Sequence, residues 1–259
     1  MRHHSALYTI GFAALICAIC SILVSSSAVG LRGRQRRNQI LERQRNVLAV
    51  SGLMQPGERL KGDAIVERFE ANIQTKIVAL KTGEYDDSVA VEGFDQQRAA
   101  KDPATSESAA PNESGILRVP NNVVVYHVVE NDQVKTIVLP IQGRGLWSMM
   151  YGYLALDNDA TTVKGITFYE QGETPGLGGE VDNPRWKGLW PGRKVYDENG
   201  QPKIAVIKGQ AGAPEEDPHR VDGLSGATLT GRGVQNLLRF WLGDGGFGPY
   251  LKRFREQRS

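Results

Sequence analysis

Residues 123–139 read V-V-V-Y-H-V-V-E-N-D-Q-V-K-T-I-V-L. Val123 to Val129 and Val134 to Leu139 are two short runs rich in β-branched residues, and Glu130-Asn131-Asp132 between them is turn chemistry, so the stretch predicts paired strands. Working outward toward the C-terminus, the same signal returns at Tyr151 to Leu156, Val163 to Tyr169 and Lys203 to Lys208, with Asp157-Asn158-Asp159 as another turn. An antiparallel sheet follows. The period then changes from strand to helix: Val234, Leu237, Leu238, Trp241 and Leu242 fall at i, i+3, i+4, i+7 and i+8 before Gly243-Asp244-Gly245-Gly246 ends the run. Strands followed by a helix define an α+β domain.

Outward in the other direction, Gly62 to Leu80 keeps helical spacing through Ile65, Phe69, Ile73, Ile77 and Leu80, although its last part, T-K-I-V-A-L, reads equally well as a strand. Residues 83–115 are rich in Asp, Glu, Ser, Ala and Gln with few large apolar side chains, which predicts a long, mobile surface loop. Residues 32–50 lack proline and place Ile40, Leu41, Val47 and Leu48 at heptad spacing, as in a helix continuing from the segment before it.

That preceding segment is uncharged from Ala6 to Gly30. Leu7 to Val29 is long enough to cross about 30 Å of hydrocarbon as a helix, so it reads as a membrane anchor. A cleaved signal peptide is the rival reading, since Ser26 and Ala28 are small residues of the kind a signal peptidase accepts. Arg32, Arg34, Arg36 and Arg37 outnumber Arg2 and, by charge bias alone, would hold the downstream side in the cytoplasm. Cys17 and Cys20 form a C-x-x-C within the apolar run. With no other cysteine in the chain they read as small packing residues rather than a redox pair, and no cysteine-held metal is expected.

The 259 residues are 40% apolar and 23% charged, a globular composition, and the net charge of +2 is uneven: residues 1–45 carry seven Arg and one Glu, leaving the rest net acidic. A nucleic-acid partner is therefore not expected. With four histidines, two at the extreme N-terminus, no metal site is expected either. The divisions read from the sequence are an anchor at 1–31, a helical and loop region at 32–120, and a sheet domain at 121–259.

Three runs could carry chemistry. Asp222-Gly223-Leu224-Ser225-Gly226-Ala227-Thr228-Leu229-Thr230 leads into the last predicted helix, where free N–H groups and the helix dipole favour an anion and Gly226 permits close approach. The plainer alternative is an N-cap by Thr228 or Thr230 with Asp222 turning the loop. Glu170-Gln171-Gly172-Glu173-Thr174-Pro175-Gly176-Leu177-Gly178-Gly179 follows a strand; it can border a flat ligand, with Glu173 and Thr174 hydrogen-bonding it, or be a Gly/Pro turn. Gly143-Arg144-Gly145-Leu146-Trp147 before Tyr151-Gly152-Tyr153 is the third, and aromatics beside glycines are as consistent with core and turn as with a ligand platform. No G-x-G-x-x-G follows a strand, so no dinucleotide site is expected.

Together these runs carry a resemblance. D-G-L-S-G-A-T at Asp222 to Thr228 is similar to the flavinylation motif of FMN-binding domains, and with E-T-P-G-L-G at Glu173 to Gly178, G-L-W at Gly145 to Trp147 and G-F-G-P at Gly246 to Pro249 the chain resembles the C-subunit family of the bacterial sodium-translocating NADH:quinone oxidoreductase. The G-subunit family of the related ferredoxin:NAD electron-transport complex shares the threonine motif, usually in a shorter chain. The resemblance implies FMN joined to Thr228 by a phosphoester, with Asp222, Ser225, Gly226 and Ala227 as the recognition sequence of a separate flavin transferase. It further implies that Glu173, Thr174, Gly176, Leu177, Leu146 and Trp147 line the isoalloxazine, and Lys208 is a further contact to flavin or phosphate, or else a solvated lysine. The expected partners are the other subunits, A to F, especially B and the iron-sulfur-bearing D and E, together with membrane lipid. The expected location is the inner membrane, single-pass, with the soluble domain periplasmic, against the arginine bias. No catalytic acid, base or nucleophile is needed for electron transfer. Two other classes compete: a membrane-anchored scaffold without flavin, and a hydrolase using Glu170, Glu173 or Asp222, which has no evident nucleophile.

Overall fold

The computed structural model describes residues 6–55 and 57–258. It contains two compact units, residues 1–44 and 45–259. Helix α1 spans Ala6–Val50; its residues through 44 belong to the first unit and its residues 45–50 to the second. A window of 18 residues in α1 has a mean hydropathy of 2.4, and every described residue from 6 to 40 is exposed. The expected continuation of the apolar helix through residue 50 is observed.

In the second unit, α2 (Gly62–Asn72) gives way to strand β1 (Ile73–Ala79), β2 (Glu84–Tyr85), helix α3 (Gln96–Lys101), β3 (Ser106–Ser108) and β4 (Arg118–Pro120). Four strands follow: β5 (Asn122–Glu130), β6 (Gln133–Arg144), β7 (Met149–Asp157) and β8 (Val163–Glu170). Next come a short 3-10 turn at Gly178–Asp182, α4 (Pro184–Lys187), β9 (Ala205–Val206), β10 (Arg220–Val221), α5 (Thr228–Leu242) and α6 (Gly248–Glu256). The sheet is antiparallel in the order β2-β1-β5-β6-β7-β8. This is the α+β architecture expected, with an apolar N-terminal helix ahead of an antiparallel-sheet domain.

Both faces of the sheet are covered. On one, Val123, Val125, Ile137, Leu139, Leu154 and Phe168 meet α5 and α6 through Val234, Leu237, Leu238, Trp241, Tyr250 and Leu251 in a single apolar cluster. Val124, Tyr126, Val128, Val138 and Tyr153 alternate with these and face the other way; they are buried as well, outside that cluster. α2 reaches this second face, with Phe69 packed edge-on against Tyr126 at 6.0 Å between ring centroids.

Several local readings are decided or corrected. T-K-I-V-A-L takes the strand alternative: α2 stops at Asn72, and β1 pairs along its whole length with β5. β1 and β2, which lie in the 32–120 region read apart from the sheet domain, thus pair in the same sheet as β5 to β8. The span 83–115, read as a mobile loop, is built structure: Arg118 donates to Ser106 Oγ (2.8 Å) and Ser106 O (2.6 Å) across the β3–β4 pair, and Asn112 caps its own turn. Its elements are too short and polar to leave a periodic signal. Lys203 to Lys208 contributes only β9, which pairs in parallel with β10 and stays outside the main sheet. α6 was unread; Pro249 in its first turn and Tyr250, Leu251 and Phe254 on its buried side are the signal.

Candidate functional site

α5 begins at Thr228 after a tight turn. Leu224 O accepts from Ala227 N at 3.1 Å, and Gly226 at the third position has φ +69°. Thr174-Pro175-Gly176-Leu177 is built the same way, with Thr174 O accepting from Leu177 N at 3.1 Å and Gly176 at φ +75°. Both sequences place glycine where a left-handed conformation is required, with proline ahead of it in the second. The two turns touch: a Cβ on Gly226 would come within 2.9 Å of Leu177 Cδ2.

The Asp222 turn is pinned from below. Asp222 Oδ1 accepts from Ala211 N (2.9 Å), Asp222 O from Trp186 Nε1 (3.0 Å), and Gly223 N donates to Gly209 O (2.9 Å). The result is a cavity of about 670 Å3 whose lining includes Lys208, Asp222, Ser225, Gly226 and Thr228, with Val206 and Gln210, which the sequence reading did not single out. That volume suits a ligand of cofactor size.

Neither threonine caps the helix. Ala227 occupies the cap position without a side-chain hydrogen bond. Thr228 is exposed, and among the described residues its hydroxyl has no hydrogen-bond partner. Thr230 is buried and turns inward, donating to Glu173 Oε2 at 2.6 Å. The first amides of α5 therefore lack a side-chain acceptor, and Thr228 and Gly231 of the helix line the cavity, an arrangement that accommodates an anion.

Glu173 is 5% exposed and fully engaged. Besides Thr230, it accepts from Leu146 N (3.1 Å), Trp147 N (2.9 Å) and Ser148 N (3.2 Å), so three successive amides of the β6–β7 connection converge on one carboxylate. Burial would push this carboxyl up, but the Thr230 hydroxyl and the three amides outweigh it and hold it below the usual carboxylate range. Its atoms are used within the protein: Glu173 joins the G-L-W loop, the T-P-G-L turn and the start of α5 rather than facing the cavity. Thr230, the missed partner, was legible only as a possible cap.

Around this clamp Leu146 (39%), Trp147 (70%), Leu177 (44%) and Leu229 (53%) are exposed, leaving an apolar rim beside the uncapped end of α5. Ala227 belongs to the core, Thr174 contributes its carbonyl to its own turn, and Lys208 is exposed at the cavity wall. Uncapped amides, a nearby lysine and an apolar rim fit a phosphorylated flat ring such as FMN. Among the described residues no group of three or more His, Cys, Asp or Glu is placed to hold a metal ion.

Residues 145–243 match the FMN-binding domain family, and the fold is of that class. Over nearly its whole length the chain is similar to the C subunit of the Na(+)-translocating NADH-quinone reductase: 48% identical to that of Vibrio vulnificus over 96% of this chain and 95% of the relative. For the Pseudomonas aeruginosa protein of the same name the figures are 43%, 98% and 98%. The crystal structure of Shewanella oneidensis NqrC superposes with a TM-score of 0.76 at 35% identity, covering 86% of this chain and 99% of that one. The chain belongs to the C-subunit family of the Na(+)-translocating NADH-quinone reductase.

Proposed function

We propose that this chain is an electron-carrying subunit of a sodium-translocating NADH:quinone reductase that holds FMN through a phosphoester to Thr228. The observation that carries this reading is the open start of α5, where an exposed threonine hydroxyl without a partner sits among amides without a cap at the mouth of the cavity. A diester phosphate keeps one negative charge, which an exposed helix N-terminus favours by about 0.3–1 kcal/mol. Lys208 adds a second favourable charge from the cavity wall. Bound FMN would supply reversible electron transfer.

The protein's own part is to hold and shield. Leu146, Trp147, Leu177 and Leu229 would exclude water from one side of a flat ring, while Glu173 keeps their loops in register without touching it. No proton needs to move at a side chain. Membership in the complex makes its other subunits the partners, with a flavin transferase acting during maturation. The apolar part of α1 would be the single-pass anchor in the inner membrane, and the soluble domain would face the periplasm.

The test is a mass spectrum of the tryptic peptide Val221 to Arg232 from denatured protein made in its native host. A mass increase equal to FMN less one water, localised to Thr228 and absent in Thr228→Leu, is expected. An unmodified peptide from cells with active flavin transferase would refute the covalent linkage.

A further inference from the structure

The site leaves unexplained the most concentrated charge in the chain. Arg32, Arg34, Arg36 and Arg37 lie on α1 just after the uncharged run that ends at Leu31, and all four are exposed. The only acidic residue of α1 is Glu42. At about 1.5 Å per residue, the four arginines sit roughly 4 to 12 Å beyond Val29, the depth of the headgroup layer outside a hydrocarbon core. At about 100° per residue they spread over roughly 200° of the helix circumference. A packed protein neighbour covers a stripe of about 100°, so one partner helix would face only two of the four.

We infer that these arginines form a binding surface for anionic phospholipid headgroups around α1, fixing its depth in the bilayer. The inference rests on the reading of α1 as a membrane span. The recognition is phosphate by guanidinium, a bidentate pairing that arginine makes better than lysine, at a depth where the aliphatic part of each side chain can lie along acyl chains. Each such charge near an anionic surface favours association several-fold, an effect that fades as salt shortens the Debye length from about 10 Å at 0.1 M to about 3 Å at 1 M.

The test uses the full flavin-loaded chain in nanodiscs of phosphatidylcholine mixed equally with phosphatidylglycerol, with retained lipids counted by native mass spectrometry. The wild type should retain phosphatidylglycerol several-fold over phosphatidylcholine at low salt. Arg32→Gln/Arg34→Gln/Arg36→Gln/Arg37→Gln should retain the two in the proportion offered while keeping its flavin and its incorporation. The corresponding lysine variant should keep a weaker preference. An identical lipid ratio for wild type and glutamine variant would overturn the inference with the anchor intact. So would loss of the preference on adding inorganic phosphate at constant ionic strength, which would assign the arginines to a soluble anion. Failure of both proteins to enter discs even of pure phosphatidylcholine would instead overturn the membrane span on which the inference stands.

Discussion

Glu173 is the residue on which the site's geometry turns. A carboxylate has only acceptor capacity, and here every donor it meets, three amides and one hydroxyl, is at hydrogen-bond distance. Glutamine at this position would aim an NH2 group at some of those donors. Glu173→Gln should therefore cost about 2–4 kcal/mol of stability, read as a lower urea midpoint with an unchanged slope. The pH dependence has a definite sign. Because the folded carboxyl titrates below its ordinary 4.5, its contribution is complete above that pH and is lost as pH falls below it through the folded value. The glutamine variant should lack that part of the acid limb. At this scale the sequence was half legible: Glu173 stood out beside glycines, yet its obvious use was outward to a ligand. Its inward partners, the amides of residues 146–148, lie more than 20 positions away and amides carry no sequence signal.

At the scale of elements, α5 is the part that both core and site depend on. Leu237 is fully buried, and β6 approaches so closely that a Cβ on Gly143 would stand 2.4 Å from Leu237 Cβ. Trp241, one turn on, is fully buried and donates its indole N–H to Gln142 O at 2.7 Å. Leu237→Ala should leave a cavity in this contact and cost about 2–5 kcal/mol in equilibrium unfolding; a loss below about 1 kcal/mol would mean that α5 is not seated on the sheet as described. This helix was readable because its apolar positions repeat with one period and glycines close it. β1 was not, because Ile73, Ile77 and Leu80 satisfy helical spacing, and only pairing with β5 across more than 40 residues decides for strand. β9 illustrates the converse: Lys203 to Lys208 has strand composition, but β10 captures two of its residues in a separate parallel pair.

For the folded unit as a whole, His127 couples stability to pH in the window above the carboxylates. It lies on β5, is 3% exposed, and its Nε2 is 2.6 Å from the Tyr250 hydroxyl on α6, with Tyr85 and Phe254 rings at 5.9 and 6.0 Å. Burial in this aromatic nest, reinforced by the charge of Lys76, lowers its pKa from 6.5 to about 4. The buried imidazole is therefore neutral where the unfolded chain's is protonated. Well above pH 6.5 the two states bind the same protons and His127 contributes no slope; as pH falls through 6.5 the unfolded chain takes up a proton the folded one refuses, and stability falls until about pH 4. The slope should be about 1 kcal/mol per pH unit between pH 6 and 5, reaching about 3 kcal/mol in total. His127→Phe keeps the aromatic packing but removes the titration, so its urea midpoint should be nearly flat over that interval. An unchanged slope in the variant would assign the loss to other groups and would mean that the sheet and α6 are not joined through a neutral, buried histidine.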